Sequence, residues 1–281
     1  MNQENVQRFR AEVIAQKNLP TIPAVLTKIL QLVEAESARA SELVGVVEHD
    51  QVLTAKILRL ANSAFFGQSR KVATIPRAVV LLGFSTVRNL ALGVKVWDVL
   101  AAGLAKARVE ELWRHSVEVA VAAKLLVGRL RAGDPDEAFT AGLLHDVGRI
   151  VLASKHRDSY WNALGGGSEA EPIEAIERAT FGVDHAEVGG WLLEAWGLPP
   201  MIVEAARTHH SVDSRAGVPG VLSVANRLVS WTDLATGALR PEAEALLAGA
   251  DEKGVTPELW QATLTRMQDD GAVNSLSRLD G

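Results

Sequence analysis

Seven histidines are spread through the 281 residues, at positions 49, 115, 145, 156, 185, 209 and 210. His115 lies among apolar residues in LWRHSVEVA. His145 and Asp146 close an apolar run in AGLLHDVGRI. His185 opens a helix in FGVDHAEVGGWL, and His209 and His210 end one in EAARTHHS. These segments follow one another at intervals of about 30, 40 and 25 residues, and helices so spaced can converge on one point of a bundle. Imidazole and carboxylate together suit a divalent cation such as zinc, iron, manganese or nickel. With no cysteine in the chain, any such site is built without sulfur. A cation held there would polarise a phosphoryl oxygen and lower the pKa of bound water. The spacing fits equally well a metal-free cluster in which the imidazoles hydrogen-bond to one another. His49 and His156 fall outside the pattern and are expected at the surface or at helix caps.

Those side chains need helices to carry them, and helical periodicity runs through almost the whole chain. Thr21 and Pro23 read as the opening of a helix to about Glu36, with Val25, Leu26, Ile29, Leu30 and Val33 on one stripe. Ser41 is expected to cap a short helix through Val47, and a further helix runs from about Asp50 to Ser63. Pro76 opens one that Gly83 ends, and Ser85 is expected to cap the next. A long helix spans about Ala105 to Arg131. A second apolar one runs from Asp136 to Asp146. Adjacent residues point about 100° apart on a regular helix, so His145 and Asp146 converge only where it ends, and Gly148 is expected to supply that end. Gly165–Gly166–Gly167 reads as a flexible loop. Helices follow from Pro172, from Asp184 to Trp196, from Pro199 to about His209 and from Val218 to Leu234. Pro241 and Pro257 open two closing ones. Asp134 and Asp136 read as helix-start acids, the tryptophans as packing residues, and Asn62 to Phe66 as a plug between the two halves.

Composition narrows the function classes. Hydrophobic residues make up 48% and charged residues 22%, as in a globular chain with a sizeable core. No apolar stretch reaches membrane-spanning length, and the polar N-terminus MNQENVQRFRAEV lacks a secretory signal, so a cytoplasmic location without membrane contact is expected. A net charge of −5 argues against direct nucleic-acid binding. The charge is uneven, however. Gln51 to Trp97 holds Lys56, Arg59, Arg70, Lys71, Arg77, Arg88 and Lys95 and no acidic residue. That segment reads either as solvated helix faces or as a docking surface for an acidic partner or a phosphate-bearing ligand.

The order His115, His145–Asp146 within HDVGR, His185, then His209–His210 resembles the HD phosphohydrolase superfamily, and most of all the HDOD domain, its signalling output branch. LPTIPAVLTKILQLVE, VVEHDQVLTAKILRLANSAFFG, TIPRAVVLLGFSTVRNLAL and FGVDHAEVGGWLLEAWGLP are similar to its signature segments, and together the likeness covers about Leu19 to Val212. The resemblance implies an all-α fold, with an N-terminal helical subdomain over residues 1–100 packed on an HD-like helical domain over 101–235. Residues 236–281 are left as C-terminal helices of unassigned role. It also implies a metal-ligand set of His115, His145, Asp146, His185, His209, His210 and Asn226. Two positions depart from the catalytic relatives. Arg149 stands where their HDxGK motif has lysine, and remains a candidate phosphate contact but not a proton donor. Asn226 replaces a carboxylate, which weakens a metal site. No Gly-Tyr-Pro segment follows His210.

Three functions are compatible with this sequence. The leading one is a non-enzymatic signalling module that docks an unidentified signalling protein, with Gln51 to Trp97 as its surface. The others are a metal-dependent phosphohydrolase acting on a nucleotide or cyclic dinucleotide, and a cyclic-nucleotide-binding sensor without catalysis.

Overall fold

The computed structural model describes residues 3–15, 23–35, 38–62, 66, 71–166, 171–211, 217–248 and 254–269. Among these the chain is all-α. The first six helices are α1 (Gln3–Ile14), α2 (Ala24–Glu34), α3 (Ala40–Glu48), α4 (Gln51–Ala61), α5 (Ile75–Leu82) and α6 (Phe84–Leu100). The central ones are α7 (Lys106–Leu130), α8 (Pro135–Leu144), α9 (Val147–His156), α10 (Asp158–Gly166) and α11 (Ile173–Phe181). Then come α12 (His185–Ala195), α13 (Pro200–Thr208), α14 (Val218–Ser230), α15 (Pro241–Ala248) and α16 (Pro257–Asp269). The β-structure described is one isolated antiparallel bridge, Thr232 to Leu239. No described helix is long and apolar enough to cross a membrane.

Short polar side chains start many of these helices by satisfying free backbone N–H groups. The Asp50 carboxylate accepts from Leu53 N at 3.0 Å, Thr74 Oγ1 from Arg77 N at 3.3 Å, Asp134 from Asp136 N at 2.7 Å, and Asp184 from Glu187 N at 2.8 Å. Gly83, at φ +89°, makes the sharp turn between α5 and α6 that residues with a Cβ rarely adopt. Three expected caps differ. Pro23 rather than Thr21 flanks α2; Thr21 lies outside the described residues. Ser41 and Ser85 sit inside α3 and α6, whose flanking residues are Arg39 and Gly83. At α3 it is Glu42 that folds back, accepting from Arg39 N at 3.1 Å. Gly165 and Gly166 belong to α10 rather than to a loop. Helix α1 packs on α12.

The core is continuous. Helix α6 packs on α2, α4, α5 and α8, and α8 lies between α6 and α7. Leu26, Ile29, Leu53 and Ile57 are fully buried in the first half, as are Val119 to Ala123 and Leu126 in α7. Trp97 and Trp113 meet edge to face with ring centroids 5.3 Å apart. Large side chains buried this way contribute about 1.5–3 kcal/mol each. Phe66 at the end of the expected plug rests under the Lys124 ammonium, 5.4 Å from its ring, so it does touch the second half. Asn62 turns back to its own half, bonding the backbone of Val72 in both directions at 2.7 Å. Lys56 pairs with Asp98 and Lys95 with Asp50. Two of the seven positive charges between Gln51 and Trp97 are therefore matched by acids lying just outside that window. Lys71 and Arg77 are exposed.

Helix α8 lies tightly against α7. A Cβ on Gly142 would lie 2.4 Å from Ala120 Cα and 2.8 Å from its nitrogen. Gly142→Ala is therefore expected to cost about 3 kcal/mol through forced backbone separation, whereas Gly165→Ala, which meets nothing within 4 Å, is expected to be neutral or mildly stabilising. Chemical denaturation of the two variants measures the difference.

Candidate metal centre

Three helix junctions and two mid-helix positions build the site. Helix α8 stops at Leu144, His145 is its C-terminal flanking residue, and Asp146 flanks the start of α9. The helix end that lets neighbouring side chains converge thus lies at His145 and Asp146 themselves. Gly148 is already helical, and its role is a close approach. A Cβ there would lie 1.9 Å from His185 O and 2.7 Å from Gly189 N, so only glycine lets α12 cross α9 at this height. Gly182, at φ +78°, ends α11, and Asp184 caps α12, which brings His185 to the first position of that helix. His209 ends α13. The turn after it is tied to α14, where Ser223 Oγ and Arg227 donate to Ser211 O at 2.9 and 3.1 Å. His115 and Asn226 come from α7 and α14.

The Asp146 carboxylate is the meeting point. Its Oδ1 lies 3.2 Å from His185 Nε2, 3.4 Å from His209 Nε2 and 3.5 Å from His145 Nε2. Its Oδ2 accepts from an Arg149 amino group at 3.2 Å and lies 4.0 Å from His115 Nε2. His185 Nε2 is also 3.1 Å from His209 Nε2 and 2.8 Å from His210 Nε2. His145 and His209 are fully buried, with His185 and Asp146 nearly so. The side chains of His115 and His210 are 23% and 27% exposed, so solvent reaches the cluster from those two sides.

The far side of each ring is held. His145 Nδ1 donates to Gly142 O at 2.7 Å and His209 Nδ1 donates to Ala206 O at 2.6 Å. Both Nε2 lone pairs are thereby turned toward Asp146. Glu177 accepts from His185 Nδ1 at 2.5 Å and from His185 N at 2.8 Å, while its other oxygen accepts from Tyr160 O–H at 2.7 Å. Arg149 Nε donates to the same tyrosine oxygen at 3.4 Å. His210 Nδ1 is 3.6 Å from Glu174. Asn226 Oδ1 accepts from His115 Nε2 at 3.0 Å. Glu177 is the site residue that sequence reasoning missed. Its signal was a carboxylate on the apolar stripe of α11, beside buried Ile176 and Phe181. His156, expected at the surface, is instead half-buried, stacked on Phe181 at 4.3 Å with Phe9 edge-on at 6.1 Å.

Burial works against every charge here, and the partners decide which survive. Burial pushes the His145 imidazole down to about 3, so it is neutral at any ordinary pH. Burial also lowers His115 and His210. For His185 the carboxylates of Glu177 and Asp146 outweigh burial and hold the imidazolium up to about 10. Asp146 is kept well below the usual carboxylate range because His145, Arg149, His185 and His209 together outweigh its burial. His185 thus carries a proton at the spot where several nitrogen lone pairs and a carboxylate converge.

A divalent cation fits these residues. His145 Nε2 is buried, aimed into the cluster and without a hydrogen-bond partner. Ligand atoms of Asp146, His185, His209 and His210, and separately of His115, His145 and Asp146, lie within 4.8 Å of one another. Of the residues expected from the sequence, His115, His145, Asp146, His185, His209 and His210 are brought together. Asn226 reaches the cluster through His115. Arg149 is turned inward onto Asp146 and Tyr160.

A sequence profile of the HDOD domain matches residues 19–212. A protein of Shewanella amazonensis SB2B that carries the name of a phosphohydrolase superposes with a TM-score of 0.77 at 26% identity, covering 94% of this chain and 97% of its own. An HDOD domain protein of unknown function from Geobacter sulfurreducens superposes with a TM-score of 0.74 at 22% identity over 98% and 99% of the two chains. A protein from Marinobacter aquaeolei VT8, named as a signal transduction protein, has a TM-score of 0.72 at 23% identity over 99% of this chain and 67% of its own. A protein of Treponema pallidum (strain Nichols), without assigned function, is 26% identical over 200 residues, which is 69% of this chain; the match spans 38% of that relative's length.

Two outcomes are expected. The raised His185 contributes stability that is fully present below its unfolded value near 6.5 and is lost as pH rises toward 10. The depressed His145 contributes stability present above 6.5 and lost as pH falls toward 3. Unfolding of the metal-free protein should show stability falling on both sides of a maximum near pH 6.5, with the alkaline limb flattened in Glu177→Gln. The same variant should bind manganese or zinc about 10- to 100-fold more weakly by calorimetry, because His185 loses the partner that orients its ring.

Proposed function

The chain belongs to the HDOD domain family, and from that premise we propose that it is a non-enzymatic regulatory module of bacterial signal transduction. Its buried histidine–aspartate pocket holds a divalent cation, and its output is the docking of a partner protein. The observation that carries this reading is the placement of Arg149. Two of its donors are spent on Asp146 and Tyr160, and its side chain is 14% exposed. A hydrolase needs its carboxylate free to hold a metal-bound water, and a cation near the site free for the substrate phosphate. Here the carboxylate and the guanidinium neutralise each other. Asn226, where the catalytic relatives have a carboxylate, accepts a hydrogen bond from His115 and adds no charge.

When bound, a cation would supply a fixed positive centre that His145, Asp146, His185, His209 and His210 hold, with Glu177 and the carbonyls of Gly142 and Ala206 orienting their rings. The docking surface we assign lies on the N-terminal helices, where Lys71, Arg77 and the 73% exposed Val80 combine positive charge with apolar area suited to an acidic partner. Metal-dependent phosphohydrolysis is the second reading. The solvent-facing edges of His115 and His210 favour it, since they give a substrate an approach, and the Shewanella neighbour carries the name of a phosphohydrolase.

Elemental analysis and turnover separate the two. Protein purified without chelator is expected to contain about one to two divalent ions per chain. It should lose them in His145→Ala and Asp146→Ala, and it should not hydrolyse nucleotides or cyclic dinucleotides with manganese or iron. Turnover that disappears in Asp146→Ala would establish the hydrolase instead.

A further inference from the structure

Helix α8 delivers both His145 and Asp146, and it is gripped along its length by α6. At its start, Asp136 Oδ2 accepts from Thr86 Oγ1 at 2.7 Å and Asp136 O accepts from Asn89 at 3.3 Å. The same carboxylate's Oδ1 accepts from Lys124 of α7 at 2.6 Å. At its end, Leu143 O accepts from Trp97 Nε1 at 2.7 Å. That carbonyl belongs to the last turn of α8, whose C=O groups have no partner within the helix, so the indole of α6 completes the turn that ends in His145. Thr86, Asn89 and Trp97 all lie on α6, so the two grips are roughly 16 Å apart along it, at 1.5 Å per residue. Between them the packing is close. A Cβ on Gly93 of α6 would lie 2.7 Å from Leu143 Cδ1, and on the other side Gly142 abuts the Ala120 backbone. A helix packed to this density passes a change at one end on to its neighbours.

One turn of α6 around Trp97 also holds α4. Lys95 pairs with Asp50, the residue that caps α4 by accepting from Leu53 N, and Asp98 pairs with Lys56 on the next turn of α4. Both pairs are largely buried. Beside Asp50, on the outer face of α4, Val52 is 59% exposed.

We infer that cation occupancy at His145 and Asp146 is transmitted through α8 and the Trp97 turn of α6 to α4. The N-terminal helices then change local stability when the site fills. This rests on the reading that the pocket holds a cation, and it assigns the regulation of that site. The driving change is local. His145 Nε2 now bonds to nothing and sits 3.5 Å from Asp146 Oδ1, close to the separation of two ligand atoms that share one ion through bonds of about 2.0–2.1 Å. Filling the site therefore ties down the end of α8 with little movement, and what changes is the stability of that end and of the helices bonded to it.

Hydrogen–deuterium exchange of the full chain, stripped of metal and then loaded with manganese, tests the inference. Metal uptake is measured in parallel. Peptides over 84–100 and 51–61 are expected to exchange about tenfold more slowly with manganese, within the range of ordinary coupling between sites. Trp97→Phe keeps the ring and removes the N–H. It should still take up manganese, with an affinity about fivefold lower by reciprocity, and should lose the effect over 51–61. Lys95→Met, which leaves the Lys56–Asp98 pair in place, should keep the protection over 84–100 and weaken it over 51–61. Manganese uptake with unchanged exchange over 51–61, or full protection there in both variants, overturns the transmission and leaves the cation reading intact. A wild-type chain that takes up no manganese overturns both.

Discussion

A carboxylate removed from water must be surrounded by positive charge or give up its own, and Asp146 is such a carboxylate, 3% exposed at the centre of the molecule. Four helices meet at it. Arg149, one turn along α9, and His185, at the start of α12, supply the charge, while His145 and His209 turn their rings in from the ends of α8 and α13. Because helix ends are where side chains can turn toward a common point, the site is made of ends. His115 is the exception, on the central helix α7, and it meets Asp146 at the longest distance, 4.0 Å.

The cluster balances itself in a particular way. Backbone carbonyls fix the rings of His145 and His209 with lone pairs inward, and Glu177 fixes His185 with its proton available. His185 therefore holds, as a proton, the positive charge that an ion would otherwise bring, and metal and proton compete for the same lone pairs. Arg149 holds the other oxygen of the carboxylate. A cation enters this site by displacing the His185 proton, and with Arg149 on its other oxygen the carboxylate has none free to hold a metal-bound water. That physical contrast separates the regulatory reading from the hydrolytic one within a family whose fold serves both descriptions.

Much of this was legible in the residues. Histidines are few, and five of them stand in an ordered pattern with one aspartate, so the assembled cluster followed from spacing and from the HDOD likeness. Proline and glycine punctuation at Pro76, Gly83, Pro241 and Pro257 marked helix ends correctly, because those residues act through local backbone sterics alone. What depended on distant contacts was hidden. Gly148 looks like a helix stop in sequence, but its need for glycine comes from α12, some forty residues away. Glu177 looks like an ordinary helical acid until Tyr160 and His185 fold over it. The positive stretch from Gln51 to Trp97 looked uncompensated because its partners, Asp50 and Asp98, stand one residue beyond either edge. Ser41 and Ser85 were poor guides because a capping side chain is only one of several ways to satisfy a helix start.

The central claim is that the lone pairs around Asp146 are arranged to hold a divalent cation. The direct measurement is a crystal structure of protein purified without chelator, with anomalous scattering recorded at the absorption edges of iron, manganese, nickel and zinc. The account predicts an anomalous peak about 2.0–2.2 Å from His145 Nε2 or His185 Nε2 and from an Asp146 oxygen. Density showing those atoms bonded to one another, with no anomalous signal among them even after soaking in manganese or zinc, would contradict it.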